Sequence, residues 1–257
     1  MRAPRTRQWG QGNQRHDQGA TEKISFGMKP FRLLVTKKID GALREEAEAK
    51  GIEVIEKEFI RIQLPDTKLG GLFSEKENTI VFTSKNAVKA VGQSTKEINH
   101  AAWKIFCLEG ATLAACLNYF PDAIIEATAP DGASLAQQII KKNPTSGILF
   151  FCGDRRRDEL PTLLKENNLW LKEIVMYKTE LSPVHVNEEV DGVAFFSPSA
   201  AESFFSMNTI SGDVICFSIG STTSAELKKY GVSDIITLKR PAEEELIEEV
   251  IKIINKH

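Results

Sequence analysis

From Phe31 onward the chain alternates short apolar or β-branched runs with longer stretches in which apolar residues recur every three or four positions. The runs read as strands and the longer stretches as amphipathic helices, and their alternation implies parallel strands joined by crossover helices. The fold class is therefore α/β. The expected strands are FRLLV, IEVIE, TIVFT, KIFCL, AIIEA, ILFFC, EIVMY, GVAFF, VICFSI and DIITL, with helices such as SLAQQIIKK and ELIEEVIKII after most of them. Ten strands exceed one compact small sheet, so two sheets of about five are expected.

The pattern also repeats along the chain. TIVFTSKNAVKAV resembles GVAFFSPSAAESF, KIFCLEGATLAACL resembles VICFSIGSTTSAEL, and PDAIIEA…ASLAQQII resembles SDIITLK…EELIEEVI, in the same order and at similar spacing. Gly110 and Gly220 mark a period of roughly 110 residues, too long for a solenoid and right for a duplicated domain. FRLLVTKKIDGALREEAEAKGIEVIEKEF pairs in turn with ILFFCGDRRRDELPTLLKENNLWLKEIVMY, so each copy reads strand, helix, strand, then three more strand–helix units. The second strands differ from the rest. IEVIEKEFIRIQLP and LKEIVMYKTELSP run on as extended, charge-alternating segments toward a proline, which predicts connectors rather than buried strands. On the residues alone, the repeat describes two contiguous halves with a cleft between them.

Composition narrows the ligand more than the fold. At 257 residues, 42% hydrophobic and 26% charged, the chain suits a globular protein with one large core or two ordinary ones. A net charge of −2 and a pI near 6.2 give no global basic field, which argues against nucleic acid or an anionic membrane as partner. An anionic ligand must be met locally. Cys107, Cys116, Cys152 and Cys216 lack zinc or redox spacing and are expected to be buried thiols of a reducing, cytoplasmic protein. No apolar run approaches the roughly 20 residues of a membrane span. Residues 1–29, rich in Arg, Gln and Gly and without periodicity, are expected to be a disordered extension.

Candidate chemistry gathers where strands give way to helices. FTSKN carries Thr83 and Ser84, and FFSPS carries Ser197 and Ser199, at the starts of equivalent helices. Such hydroxyls cap helix N–H groups, and at the carboxyl edge of a parallel sheet they also offer anion sites. The turns LEGATLA and SIGSTTSAE place Thr112, Thr222 and Thr223 at the next helix starts, after glycines that permit tight turns. Neither turn has the pattern of a P-loop or of a dinucleotide fold. GDRRRDELP sets Arg155, Arg156 and Arg157 at a helix start, where cations oppose the helix dipole. His16, His100, His185 and His257 show no metal-ligand spacing and no nucleophile motif, and each is expected at the surface. Tyr177 stands where an apolar strand passes into a connector, a place from which its hydroxyl can face the cleft.

Together FTSKNAV, GDRRRDELP followed by VMYKT, FFSPSAAESF and IGSTTSAEL resemble the motifs of the uroporphyrinogen-III synthase family, from Phe31 to the C-terminus. The resemblance implies two flavodoxin-like domains. The first would comprise residues 30–58 and 184–257 and the second residues 64–176, with connector strands at 59–63 and 177–183. It implies loss of water from linear hydroxymethylbilane and closure to uroporphyrinogen III, with inversion of ring D through a spiro intermediate and without cofactor or metal. The expected roles are a proton-donating Tyr177 and carboxylate binding by Ser84, Thr112, Arg155, Ser197, Ser199, Thr222 and Thr223. A monomer is implied, with at most a transient contact with porphobilinogen deaminase. The alternative is a non-catalytic bilobal protein of the same fold that binds or senses a tetrapyrrole.

Overall fold

The protein is described from a computed structural model covering residues 29–255 except 66, 68, 70, 75 and 241. In chain order its elements are β1 (Phe31–Val35), α1 (Gly41–Ala49), β2 (Ile52–Glu56), β3 (Ile60–Gln63), β4 (Asn78–Phe82), α2 (Lys85–Ser94), β5 (Trp103–Leu108), α3 (Ala111–Tyr119), β6 (Ile124–Ala129) and α4 (Gly132–Lys142). They continue with β7 (Ile148–Gly153), α5 (Glu159–Glu166), β8 (Leu171–Leu181), β9 (Gly192–Phe195), α6 (Pro198–Phe205), β10 (Ile215–Ser218), α7 (Ser221–Lys229), β11 (Ile235–Thr237) and α8 (Glu243–Ile254). All ten expected strands form. The N-terminal extension read from residues 1–29 lies almost wholly outside the described residues, as do His16 and His257.

One sheet has five parallel strands in the order β11-β10-β9-β1-β2. The other has six in the order β3-β8-β7-β4-β5-β6, parallel except where β3 meets β8. The sheets are not contiguous halves of the chain. Strands β1 and β2 from the beginning join β9, β10 and β11 from the end, while the segment between supplies the second sheet. Replacing each strand of β2-β1-β9-β10-β11 by its partner in the sequence repeat yields β8-β7-β4-β5-β6, the order observed, with β3 added at the edge.

Successive residues of a strand point to opposite faces, so strands that are apolar throughout need cover on both. In β1, Leu33 and Val35 pack with Leu43 and Ala47 of α1 and with Leu246, Ile247 and Val250 of α8. Leu34, facing the other way, packs with Ala200, Ala201 and Phe204 of α6 and with Leu227 of α7. The second sheet is layered alike. Ile80 and Phe82 lie against Ala87, Val88 and Val91 of α2 and Cys116 of α3, and Val81 lies against Leu135 and Ile139 of α4 and Leu160 and Leu164 of α5.

The segments read as connectors turn out to be part strand. Residues Ile52 and Val54 of β2 are buried in the sheet core, and β8 first pairs with β7 before its end, Lys178–Leu181, pairs antiparallel with β3. An edge strand covered on one face alternates apolar and polar residues just as a crossing strand does, so their sequences look the same. Two further readings need correction. His100 is not at the surface: it is 8% exposed, its Nε2 lies 3.1 Å from Thr95 Oγ1, and its ring packs edge-on against Trp103 and Phe120. Of the two turn glycines, Gly110 adopts φ 68°, whereas Gly220 at φ 176° is extended backbone open to any residue. All four cysteines are free and buried, and His185 is exposed. Among the described residues no helix is long and apolar enough to cross a membrane.

Candidate active-site cleft

Parallel strands end at a common edge, so the turn after each strand delivers a helix N-terminus and its first side chains to that edge. Here the carboxyl edges of both sheets line one cleft of about 640 Å³, within the range of roughly 300–1,000 Å³ usual for small-molecule sites. The six-stranded sheet contributes Thr83 and Ser84 after β4, Pro130–Gly132 after β6, Gly153, Arg155–Arg157 and Glu159 around the end of β7, and Tyr177 from β8. The five-stranded sheet contributes Gly220–Thr223 after β10 and Thr237–Lys239 at the end of β11. A second hollow of about 520 Å³, lined by Glu188, Glu189, Val193 and Val214, opens at the amino ends of β9 and β10.

Tyr177 is half-buried and donates its hydroxyl proton to Ser84 Oγ at 2.9 Å, while the same Oγ accepts the Asn86 N–H at 3.2 Å as the cap of α2. Burial pushes the phenol above its ordinary pKa, and the Ser84 bond pulls the other way. It is therefore a neutral donor at physiological pH.

The three consecutive arginines separate. Arg156, half-buried, pairs with Asp158 and Glu173 on its own side of the cleft. Arg155 pairs with Glu202 of α6, and Arg157 donates to Thr222 of α7, so both reach from the β7–α5 turn to helices that cover the other sheet. Pairs this exposed typically contribute about 0–1 kcal/mol, weak enough for an incoming carboxylate to exchange with them. The helix starts differ in a way that matters for anions. Ser84 caps α2 and Asp131 caps α4, with the Ser134 N–H holding the Asp131 carboxyl below its ordinary range. At α7 no side chain caps the first turn, leaving its N–H groups beside the hydroxyls of Ser221, Thr222 and the buried Thr223.

Five expected site residues, Ser84, Arg155, Tyr177, Thr222 and Thr223, lie on this cleft. Three do not line it: Thr112 is buried in the first turn of α3, Ser197 caps α6 through the Ala200 N–H, and Ser199 lies within α6. Sequence reading passed over Asp131, Gly153, Glu202 and Lys239. The Asp-Gly start of α4 was a visible capping signal, whereas nothing local marks Glu202 as facing Arg155 across the cleft. Among the described residues no group of three or more His, Cys, Asp or Glu is placed to hold a metal.

The family model described as "HEM4: Uroporphyrinogen-III synthase HemD" matches residues 41–248. A comparison with curated proteins found no match. The crystal structure of uroporphyrinogen-III synthetase from Helicobacter pylori 26695 is similar at TM-score 0.65 and 16% identity, over 87% of this chain and 99% of that one. A mutant uroporphyrinogen III synthase from the extremely thermophilic bacterium Thermus thermophilus is similar at TM-score 0.61 and 14% identity, over 88% of this chain and 100% of that one. At such identities the likeness speaks for the fold, and the family match, spanning most of the chain, speaks for kinship. The chain belongs to the uroporphyrinogen-III synthase family, enzymes of haem biosynthesis.

Proposed function

We propose that the cleft binds linear hydroxymethylbilane and closes it to uroporphyrinogen III, with loss of water and inversion of the last pyrrole ring. The observation that carries this reading is the pairing of two carboxyl edges around one cleft in which hydroxyls, three arginines, Lys239 and an uncapped helix start outweigh the carboxylates of Asp131 and Glu159. A substrate with eight carboxylates needs many such donors, and it needs them on both sides. The linear bilane can close by itself to the uninverted isomer, so the enzyme's work is to hold a conformation in which the terminal carbon reaches the substituted α-position.

In this reading Ser84, Arg155, Thr222 and Thr223 hold substrate carboxylates, and Tyr177 supplies the proton that leaves with the hydroxyl as water. The reaction requires no cofactor. Two flavodoxin-like domains, residues 30–58 with 184–257 and residues 64–176, are supported by the strand order. Renumbered within each repeat unit, both sheets run 2-1-3-4-5. The segments 59–63 and 177–183 then serve as the crossing.

Tyr177→Phe tests the chemical part. With bilane supplied by porphobilinogen deaminase, the variant should lose about 10²–10⁴-fold in kcat, the usual worth of a positioned proton donor, with little change in KM. Turnover at the wild-type rate, still yielding the III isomer, would remove Tyr177 from the reaction.

A further inference from the structure

We infer that Gly153 and Asp154 are positioning residues that seat the Tyr177 phenol at the cleft, Gly153 by leaving space for the ring and Asp154 by clasping the strand just beyond it, at the Tyr177 carbonyl and the Thr179 N–H. This rests on the reading of Tyr177 as proton donor. Its geometry is separate. Along β7 and β8 the parallel pairing runs in step from Ile148↔Leu171 to Cys152↔Val175, then slips so that Gly153 faces Tyr177 and Met176 is passed over. The slip changes which side of β8 faces the cleft at its carboxyl end, since successive side chains point to opposite faces. Met176 stays in the core, 1% exposed, and Tyr177 emerges at the edge.

The ring then lies across Gly153. A Cβ built there would stand 2.7 Å from the Tyr177 hydroxyl oxygen and closer still to Cζ, far inside contact distance. No other residue type leaves the phenol where it can reach Ser84. The next residue holds the strand in the slipped register. The Asp154 N–H donates to the Tyr177 carbonyl at 3.1 Å, and Asp154 Oδ1 accepts the Thr179 N–H at 2.9 Å. Strand β8 leaves its parallel partner here and begins to pair with β3, so Asp154 ties down the strand where its sheet support changes.

The test combines kinetics with an ionisation measurement on the full chain. The chain has three tyrosines, so subtracting the ultraviolet pH titration of Tyr177→Phe from that of wild type isolates Tyr177. In Gly153→Ala the displaced phenol should ionise at lower pH than in wild type, toward the ordinary value of about 10. Its kcat should fall about 10²-fold, the usual cost of displacing a reacting group by about 1 Å, with KM nearly unchanged. In the Tyr177→Phe background the same substitution should cost almost nothing more in kcat. Unchanged Tyr177 ionisation together with unchanged kcat overturns the inference, and so does an equal loss in both backgrounds. If Tyr177→Phe is itself fully active, the proton-donor reading fails, and the ionisation shift in Gly153→Ala still decides the seating. If Gly153→Ala does not fold, Asp154 decides. Asp154→Ala should lower kcat and Asp154→Asn, which keeps the acceptor oxygen, should restore it, whereas equal losses in the two overturn the clasp.

Discussion

Ser84 and Ser197 hold the same place in the sequence repeat, and both cap a helix, α2 and α6, but only Ser84 also accepts a hydrogen bond from Tyr177. Removing a capping hydroxyl usually costs about 1 kcal/mol of stability. Ser197→Ala should therefore lower the denaturant midpoint and leave the steady-state constants alone, while Ser84→Ala should lower both the midpoint and kcat. Identical kinetic effects from the two would contradict the division of roles. His100 makes a second point at this scale. Burial lowers its pKa, the largest influence on it, with the Thr95 contact and the charge of Asp122 acting the other way. The folded state thus favours the neutral ring, and the unfolded chain takes up the proton first, near pH 6.5. The stability His100 supports is complete above that pH and declines as pH falls below it. Between pH 7.5 and 5.5 wild type should lose more of its urea midpoint than His100→Gln, and parallel profiles would contradict this. The surface reading of His100 failed because the surrounding NHAAW carries no hint that Trp103 and Phe120 close over the ring.

Helix α7 is the element on which anion binding most depends. Its first turn has free N–H groups and three successive hydroxyl residues at the cleft, and the field of the helix adds to both. Thr222→Val keeps the side-chain shape, deletes the hydroxyl that Arg157 now engages, and should raise KM about 2–10-fold without lowering kcat. A fall in kcat at constant KM would place Thr222 in the chemistry instead. The motif SIGSTTSAE made this helix start legible because hydroxyls after a turn glycine have a local cause. The closure of the cleft by arginines was less legible. GDRRRDELP announced a basic helix start, but that Arg156 stays with Glu173 while Arg155 and Arg157 cross to Glu202 and Thr222 depends on partners remote in the chain.

At the scale of the molecule, the repeat carried most of the information. Matching TIVFTSKNAVKAV to GVAFFSPSAAESF and FRLLV to ILFFC pairs the strands one for one, and the two sheets then share a strand order. What local patterning does not contain is which copies of the first two strands join which sheet. FRLLV and IEVIE precede TIVFT in sequence, yet they join the other sheet, in which FRLLV pairs with IEVIE on one side and, on the other, with a strand more than a hundred residues further on, as Leu34 with Val193. That choice is made by long-range packing, in which Leu34 buries against α6 and α7. The consequence is functional: because the chain leaves the first sheet, builds the second and returns, both sets of strand ends face one cleft. The measurement that bears most directly on this account is the isomer composition of the product formed when deaminase-generated hydroxymethylbilane is turned over by the protein and the oxidised porphyrins are separated. The account predicts uroporphyrin III as the dominant product, in an amount that rises with enzyme, and a product wholly of type I would contradict it.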